Sequence, residues 1–185
     1  IEVLDITINA YACANEAFDA VYLQEGALLI DMGYKTTTVS FYKNGYLQYL
    51  TVVQVGGYDF TRKVAQNMQI SMNQAEAYKV KYGSLDVTKG QNDIIHTTYS
   101  KDGNRDYTQQ DLADLLNETA YEVMNKIKEK ISVIEDINKY EALIVGGGGE
   151  LEMLDDIASK VLDCSVRLYR PDTIGARDMS LVGAI

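Results

Sequence analysis

Residues 27–38 have the sequence Ala-Leu-Leu-Ile-Asp-Met-Gly-Tyr-Lys-Thr-Thr-Thr, and this stretch decides the fold. Its first four residues form an unbroken apolar run, which is typical of a strand buried on both faces. Asp31 follows this run, and the absent side chain of Gly33 lets main-chain N–H groups approach an anion. The residues alone fit a simple strand cap at least as well as a phosphate-binding turn.

The flanking segments extend this strand into a sheet. Residues 39–43 and 46–50 lie on either side of Asn44-Gly45, the strongest two-residue signal for a β-hairpin. Before the strand, residues 4–20 predict a short strand and then an Ala-rich helix, and Glu25-Gly26 ends that unit. Three antiparallel strands are therefore expected to open the core.

The rest of the chain predicts helices, a polar insertion and then alternating strands and helices. Residues 84–107, polar around Ile94-Ile95 and with a turn at 102–104, predict a small hairpin-rich insertion. The other predicted elements are helices at 58–67, at 71–83 (opened by a capping box from Ser71 to Gln74) and at 108–134, a strand at 140–145, a helix at 151–162, and a strand at 166–169 that Pro171 closes. A strand, a helix and a strand at this spacing predict a parallel, right-handed crossover, so the whole order is that of a ribonuclease H-like α/β fold.

A second glycine-bearing segment follows the strand at 140–145. Residues 146–149 are four consecutive glycines before Glu150. They fit a flexible loop, and they also fit a stretch of backbone against which a ligand lies flat. Together with the turn at Asp31 and Gly33, we interpret them as two walls of one nucleotide site.

Composition excludes several classes of function. The chain has 185 residues and a formal net charge of -10, which repels nucleic-acid phosphates and anionic membranes, so no nucleic-acid partner is expected. Cys13 and Cys164 predict two reduced, buried thiols, and His96 has no Cys or second His with which to form a metal site. Without a spanning apolar run or a signal peptide, we expect a cytoplasmic protein. The first residue, Ile1, and the helix-like residues 180–185 at the end suggest an excised fragment.

Five motifs, in one order, resemble those of a known superfamily. They are residues 30–33 with Thr36 and Thr37 (a phosphate loop), 55–61 (a glycine-led helix start), 75–83 (a helix that reaches ribose and adenine), 111–116 (a helix that returns from an insertion) and 143–148 (an adenosine motif). The chain thereby resembles the actin, sugar-kinase and heat-shock-chaperone superfamily and, within it, the FtsA family of bacterial cell-division proteins. The resemblance runs from Gly26 nearly to the end.

The resemblance implies the C-terminal half of an actin-type ATPase fold: three antiparallel strands, then parallel strands with helices, and an inserted small α+β subdomain. Residues 1–25 would end the first actin-like domain and connect to the second, residues 26–67 and 136–185 would form the core, and residues 68–135 would be the insert beside the nucleotide. The implied ligands are ATP and Mg²⁺. The implied nucleotide contacts are Asp31, Gly33, Tyr34, Lys35, Thr36, Thr37, Gly56, Gly57, Glu76, Lys79, Gly146, Gly147, Gly148 and Gly149, with Asp31 also as the metal ligand.

The chemistry of these residues leaves more than one role open for several of them. Asp31 can hold Mg²⁺ through water, and Glu76 and Lys79, three apart on one helix face, can both point at a ribose or can form a solvated pair. Tyr34 and Lys35 stand where the family has further glycines: Tyr34 can crowd the γ-phosphate or lie over the site, and Lys35 can add a phosphate contact.

The resemblance also bears on catalysis. Asn9 stands where related filament proteins place a Glu that orients water, and an amide cannot act as a base near pH 7. The other phosphate loop of such a protein is absent from this chain. We therefore expect negligible ATP hydrolysis by the fragment and at most slow hydrolysis by the full-length protein.

By resemblance, the expected function is that of an ATP-binding, filament-forming protein that tethers the tubulin-like division ring to the membrane. The insert would bind the tail of the division-ring protein, and the membrane contact would use an amphipathic helix outside this chain. Three alternatives remain: a pilus or secretion platform protein of the PilM type that binds a peptide of a membrane partner, a sugar kinase or activator ATPase, and a degenerate actin-like scaffold.

Overall fold

The computed structural model describes residues 7–86, 88, 92–100 and 103–169. The predictions made for residues 4–6, Asp102, Pro171 and 180–185 lie outside these ranges. The elements in chain order are α1 Asn9–Ala17, α2 Ala20–Glu25, β1 Ala27–Met32, β2 Thr37–Lys43, β3 Tyr46–Val53, α3 Gly57–Met68, α4 Met72–Tyr82, β4 Ile94–Ser100, β5 Gly103–Thr108, α5 Gln109–Ile131, β6 Glu141–Val145, α6 Leu154–Leu162 and β7 Ser165–Leu168. Short 3₁₀ turns cover Ile137–Lys139 and Gly147–Gly149.

Five strands form the central sheet in the order β3-β2-β1-β6-β7. The pairs of β1 with β2 and of β2 with β3 are antiparallel, whereas β6 runs parallel to both β1 and β7. In the turn between β2 and β3, Asn44 and Gly45 have φ angles of 56° and 76°, as a two-residue type I′ hairpin turn requires. The predicted mixed sheet, and with it the α/β fold class, is confirmed.

Two hydrophobic cores lie on the two faces of this sheet. Successive side chains of β1 point to opposite faces, so Leu28 and Ile30 pack with α3, α5 and α6, whereas Leu29 packs toward α1. Asp31 follows this alternation onto the α1 face. Cys13 and Cys164 are both free and buried, as predicted, and burial raises the pKa of the Cys164 thiol to about 11.

The insert contains α4 and a separate two-stranded sheet of β4 and β5. This hairpin binds the last turn of α3, because the Tyr107 hydroxyl donates to the Asn67 carbonyl at 2.6 Å and the Thr98 hydroxyl donates to the Met68 carbonyl at 3.0 Å. Helix α5 packs against both α3 and α6, so it joins the insert to the core. The domain boundaries at 68 and 135 stay predictions.

Three predicted helices have different bounds, and one of them, predicted to residue 134, ends at Ile131. The first helical segment, predicted as one helix to Ala20, is broken at Phe18, whose extended backbone (φ -119°, ψ 139°) turns its buried ring into the smaller core. The helix predicted from residue 151 begins at Leu154, because Met153 directly before it has a left-handed backbone (φ 67°). In the described part of the chain, no helix is both long enough and apolar enough to cross a membrane.

Candidate functional site

The two glycine-bearing segments meet at one edge of the sheet. Strands β1 and β6 are parallel neighbours, with Asp31 opposite Val145, so the turns that follow them emerge side by side. A Cβ atom on Gly148 would overlap the carbonyl oxygen of Gly33, and one on Gly146, where φ is 90°, would lie 2.5 Å from the carbonyl oxygen of Met32. The glycines therefore allow the two backbones to touch.

The turn after β1 is also bound to the start of α3. Within the turn, the Gly33 N–H donates to the Thr36 carbonyl at 2.9 Å. The first N–H groups of α3 donate to the turn: Gly57 to the Gly33 carbonyl at 3.0 Å and Tyr58 to the Tyr34 carbonyl at 2.7 Å. Helix starts leave such N–H groups without an intrahelical partner, so here the turn itself satisfies them.

Asp31 lies half-buried where β1 ends. The Asn9 side-chain amide donates to Asp31 Oδ2 at 2.9 Å. Burial raises the pKa of the Asp31 carboxyl above its ordinary value, and the hydrogen bond from Asn9 offsets part of this rise. No group of three or more acidic, His or Cys side chains suited to a metal occurs within the described ranges. A single carboxylate such as that of Asp31 is chemically compatible with Mg²⁺, which is often bound by one or two carboxylates together with phosphates and water.

Glu76 and Lys79 form a partly buried ion pair on α4. The Lys79 ammonium is 2.8 Å from Glu76 Oε2, 3.0 Å from Thr61 Oγ1 and 3.4 Å from the Gly57 carbonyl oxygen, so its three N–H groups all have partners. The Thr61 hydroxyl also donates to Glu76. Burial alone would raise the pKa of the Glu76 carboxyl, but the hydrogen bonds from Lys79 and Thr61 prevail and lower it. The pair is thus not simply solvated.

The residues that replace the family's later glycines lie against the start of α3. Tyr34 is 55% exposed, and its ring meets the Tyr58 ring edge-on with centroids 5.6 Å apart. The Lys35 ammonium lies 5.6 Å from the centroid of the same Tyr58 ring. Both side chains are therefore at the surface of the turn and share one aromatic partner.

A comparison with protein families identifies the chain. The sequence model of the family described as "Cell division protein FtsA" matches residues 28–185. The chain belongs to the FtsA family. It is 26% identical over its whole length to the cell division protein FtsA of Bacillus subtilis (strain 168) and 27% identical to that of Staphylococcus epidermidis (strain ATCC 12228). It spans only 43% and 40% of the length of these two relatives.

Solved structures show that this FtsA-family chain has an actin-like fold. It superposes with a TM-score of 0.76 on MreB5 of Spiroplasma citri bound to ADP, at 16% identity, covering 98% of this chain and 58% of that one. It superposes with a TM-score of 0.70 on a chain of the PilM-PilN type IV pilus biogenesis complex, at 14% identity, covering 96% of this chain and 49% of that one. At these identities the likeness concerns the fold.

Ten of the fourteen predicted site residues come together, and the other four, Thr36, Thr37, Gly147 and Gly149, have other surroundings. Thr37 is fully buried and its hydroxyl donates to the Val55 carbonyl at 2.8 Å, so this hydroxyl already has a partner inside the fold. Thr36 and Gly147 are exposed, whereas Gly149 is buried against Ile144. The remaining predicted residues surround the junction of β1, β6, α3 and α4: they are Asp31, Gly33, Tyr34, Lys35, Gly56, Gly57, Glu76, Lys79, Gly146 and Gly148.

Sequence reasoning missed two residues of this region. Thr61 links Glu76 to Lys79, and its signal was a polar residue on the buried face of an amphipathic helix, one turn after Gly57. Tyr58 contacts both Tyr34 and Lys35, and it lies in the motif at residues 55–61, which gave it no role in the site.

Proposed function

We propose that this chain is the nucleotide-binding C-terminal half of an FtsA protein that binds ATP with Mg²⁺. The main support for this proposal is the position of Gly57. A Cβ atom on Gly57 would lie 3.5 Å from Gly148 Cα, 3.8 Å from Lys79 Nζ and 3.9 Å from the Gly33 carbonyl oxygen. The phosphate turn, the adenosine turn and the Glu76–Lys79 pair thus meet at one glycine.

Each wall of the site suits one part of the nucleotide. The exposed turn at residues 34–36 offers main-chain N–H groups and the Lys35 ammonium to phosphate oxygens. The contacting glycines leave a flat surface for the adenosine, and the Glu76 carboxylate can accept hydrogen bonds from ribose hydroxyls. Asp31 would hold Mg²⁺ through water, and the ion would supply positive charge that offsets the charge of the phosphates.

The site holds nucleotide more readily than it hydrolyses it. Asn9 lies beside Asp31, but its amide is neutral and cannot take a proton from water near pH 7. Turnover would need groups from the other half of the protein. Nucleotide therefore acts as an assembly and conformational switch, with at most slow hydrolysis in the full-length protein.

In the whole protein, the proposed role is that of a division protein that self-associates into filaments. It would connect the tail of the tubulin-like division protein, through the insert at 68–135, to the cytoplasmic face of the cell membrane, through a segment outside this chain. A pilus platform protein shares the fold, as the likeness to PilM indicates. The family match supports the division role over that alternative.

The nucleotide proposal is tested by titrating the full-length protein with a fluorescent ATP analogue in Mg²⁺. We expect saturable binding that Lys79→Met weakens at least about tenfold, because Lys79 holds the Glu76 carboxylate that would bind the ribose, and loss of a hydrogen bond to a charged group costs about 1.4 kcal/mol or more. Lys81→Met, an exposed lysine on the same helix, is the matched control and should leave binding unchanged. Without saturable binding, the actin-like fold stands and the degenerate scaffold replaces the nucleotide-binding protein.

The division role is tested separately by a pull-down. The full-length protein should retain a peptide with the tail sequence of the tubulin-like division protein, and removal of residues 92–108, which carry the β4–β5 hairpin, should abolish this retention. Retention of a peptide from a pilus membrane protein instead would favour the PilM-type alternative.

A further inference from the structure

The side chains of Asn9, Cys13 and Asp31 form a short hydrogen-bonded chain between α1 and the end of β1. Asn9 is the first residue of α1, and its amide nitrogen is 2.9 Å from Asp31 Oδ2. Cys13 is one turn later on the same face of the helix, and its thiol sulfur is 3.5 Å from Asn9 Oδ1. Cys13 is buried in the smaller core, so it anchors the inner end of this chain.

Asp31 determines which way the Asn9 amide faces. An ionised carboxylate can only accept hydrogen bonds, so the NH₂ group faces Asp31. The carbonyl oxygen of the amide then faces Cys13, whose thiol can donate a hydrogen bond to it. Asn9 is therefore held as a donor to Asp31.

The second oxygen of Asp31 lies close to the glycine turn that follows β6. A Cβ atom on Gly146 would lie 2.8 Å from Asp31 Oδ1, so the glycine turn closes against this oxygen. Because Asn9 is neutral, it orients the carboxylate without neutralising its charge. Among the described residues, no Lys, Arg or His forms an ion pair with Asp31. The carboxylate is thus oriented by Asn9 without a neutralising partner among the described residues.

We propose that Asn9 is a positioning residue that orients the Asp31 carboxylate for the divalent cation of the bound nucleotide. This inference rests on the proposed function, since it concerns the same site. It assigns to Asn9 a role in binding the cation and none in activating water. A positioning role predicts that loss of the amide affects the cation-dependent part of nucleotide binding and spares the rest.

The test measures the affinity of the full-length protein for a fluorescent ADP analogue, once in excess Mg²⁺ and once in EDTA. We expect Asn9→Ala to reduce the affinity in Mg²⁺ about five- to tenfold, the effect of losing one hydrogen bond to a charged group, and to leave the affinity in EDTA unchanged. Asn15→Ala removes an exposed asparagine from the same helix and should change neither. Asn9→Ser, whose residue suits a helix start, repeats the measurement if the alanine variant folds poorly.

A double-mutant cycle then tests whether Asn9 acts through Asp31. In an Asp31→Ala background, Asn9→Ala should have no further effect, because the group that it positions is gone. An equal loss with and without Asp31 overturns the inference, and so does an Asn9→Ala variant that matches Asn15→Ala in Mg²⁺. Both outcomes leave the proposed function intact. A wild-type protein that binds no analogue in Mg²⁺ overturns the proposed function and this inference together.

Discussion

Asp31 and Glu76 are two half-buried carboxylates of one site, and their pKa values shift in opposite directions. Burial raises the pKa of Asp31, whose hydrogen-bond partner is the neutral amide of Asn9. Burial also acts on Glu76, but the ammonium of Lys79 and the hydroxyl of Thr61 lower its pKa. The fold thus supplies a cation to Glu76, whereas no cation among the described residues pairs with Asp31. A carboxylate left in this state is a candidate for binding a cation from outside.

The largest expected effect comes from Gly148→Ala, at the contact between the turn after β1 and the turn after β6. The new Cβ would overlap the Gly33 carbonyl oxygen, so the two turns must separate. We expect the free energy of unfolding to fall by about 3 kcal/mol, as for overpacking against rigid backbone. Denaturant unfolding monitored by circular dichroism measures it.

Gly57→Ala is the matched control for this junction. A Cβ there has no heavy atom nearer than 3.5 Å, and alanine suits a helix better than glycine. Its stability should stay within about 0.5 kcal/mol of wild type. Equal losses from the two substitutions would contradict a specific contact at Gly148.

Lys79→Met leaves Glu76, like Asp31, as a partly buried carboxylate without a paired cation, because it removes the ammonium group and keeps the surrounding side chains. We expect a loss of about 2 kcal/mol at pH 7, less than for a fully buried pair since the Glu76 side chain is 44% exposed. Lys81→Met, at an exposed position of the same helix, should leave the free energy of unfolding unchanged. If the Lys79→Met and Lys81→Met variants had indistinguishable unfolding curves, the stability of the protein would not depend on a cation beside Glu76.

Neutral, nearly isosteric substitutions of the two carboxylates should change the free energy of unfolding in opposite directions. Since the folded-state pKa of Asp31 is raised, the wild-type protein loses stability as pH rises from the ordinary value of 3.8 through that pKa. Asp31→Asn removes this loss and should stabilise the protein at pH 7, with no gain below the ordinary pKa.

The folded-state pKa of Glu76 is lowered, so its contribution is present above its ordinary value of 4.5 and is lost as pH falls through the folded pKa. Glu76→Gln should therefore destabilise the protein at pH 7, by less than about 1 kcal/mol because the group is partly solvated. Unfolding curves at pH 3 to 8 compare the two variants. Shifts of the same sign would end the distinction between the two carboxylates.

The smallest effect is expected at the turn where the family pattern changes. Lys35→Met should weaken binding of the ATP analogue two- to threefold at low salt, since an exposed cation contributes less than about 1 kcal/mol. Lys43→Met is the control: Lys43 also lies over a tyrosine ring, that of Tyr140, but at the opposite end of β2. A loss that does not shrink as salt rises would speak against a phosphate contact.

Local sequence signals were sufficient for most of the fold. Asn44-Gly45 and the capping box at Ser71, whose hydroxyl accepts from the Gln74 N–H at 3.3 Å, act within a few residues and are visible in the chain. The start of α6 was predicted three residues early, because the left-handed backbone at Met153 has no glycine or asparagine to announce it.

The site was predictable in composition but less so in its contacts. The glycines and Asp31 could be found because each follows a buried strand. The partners that decide their chemistry are distant in sequence: Asn9 is 22 residues from Asp31, and Thr61 is 15 from Glu76. Such pairings arise only when helices pack on the sheet, so no local pattern encodes them.

Helix α3 is tied at both ends by the backbone groups that a helix cannot satisfy itself. Its first N–H groups bind the turn after β1, and its last carbonyls bind the hairpin of the insert. Its twelve residues are about 18 Å long, and a helix of this length resists axial compression. A displacement of the turn along the helix axis would therefore be transmitted through α3 and its terminal hydrogen bonds to the hairpin at the other end.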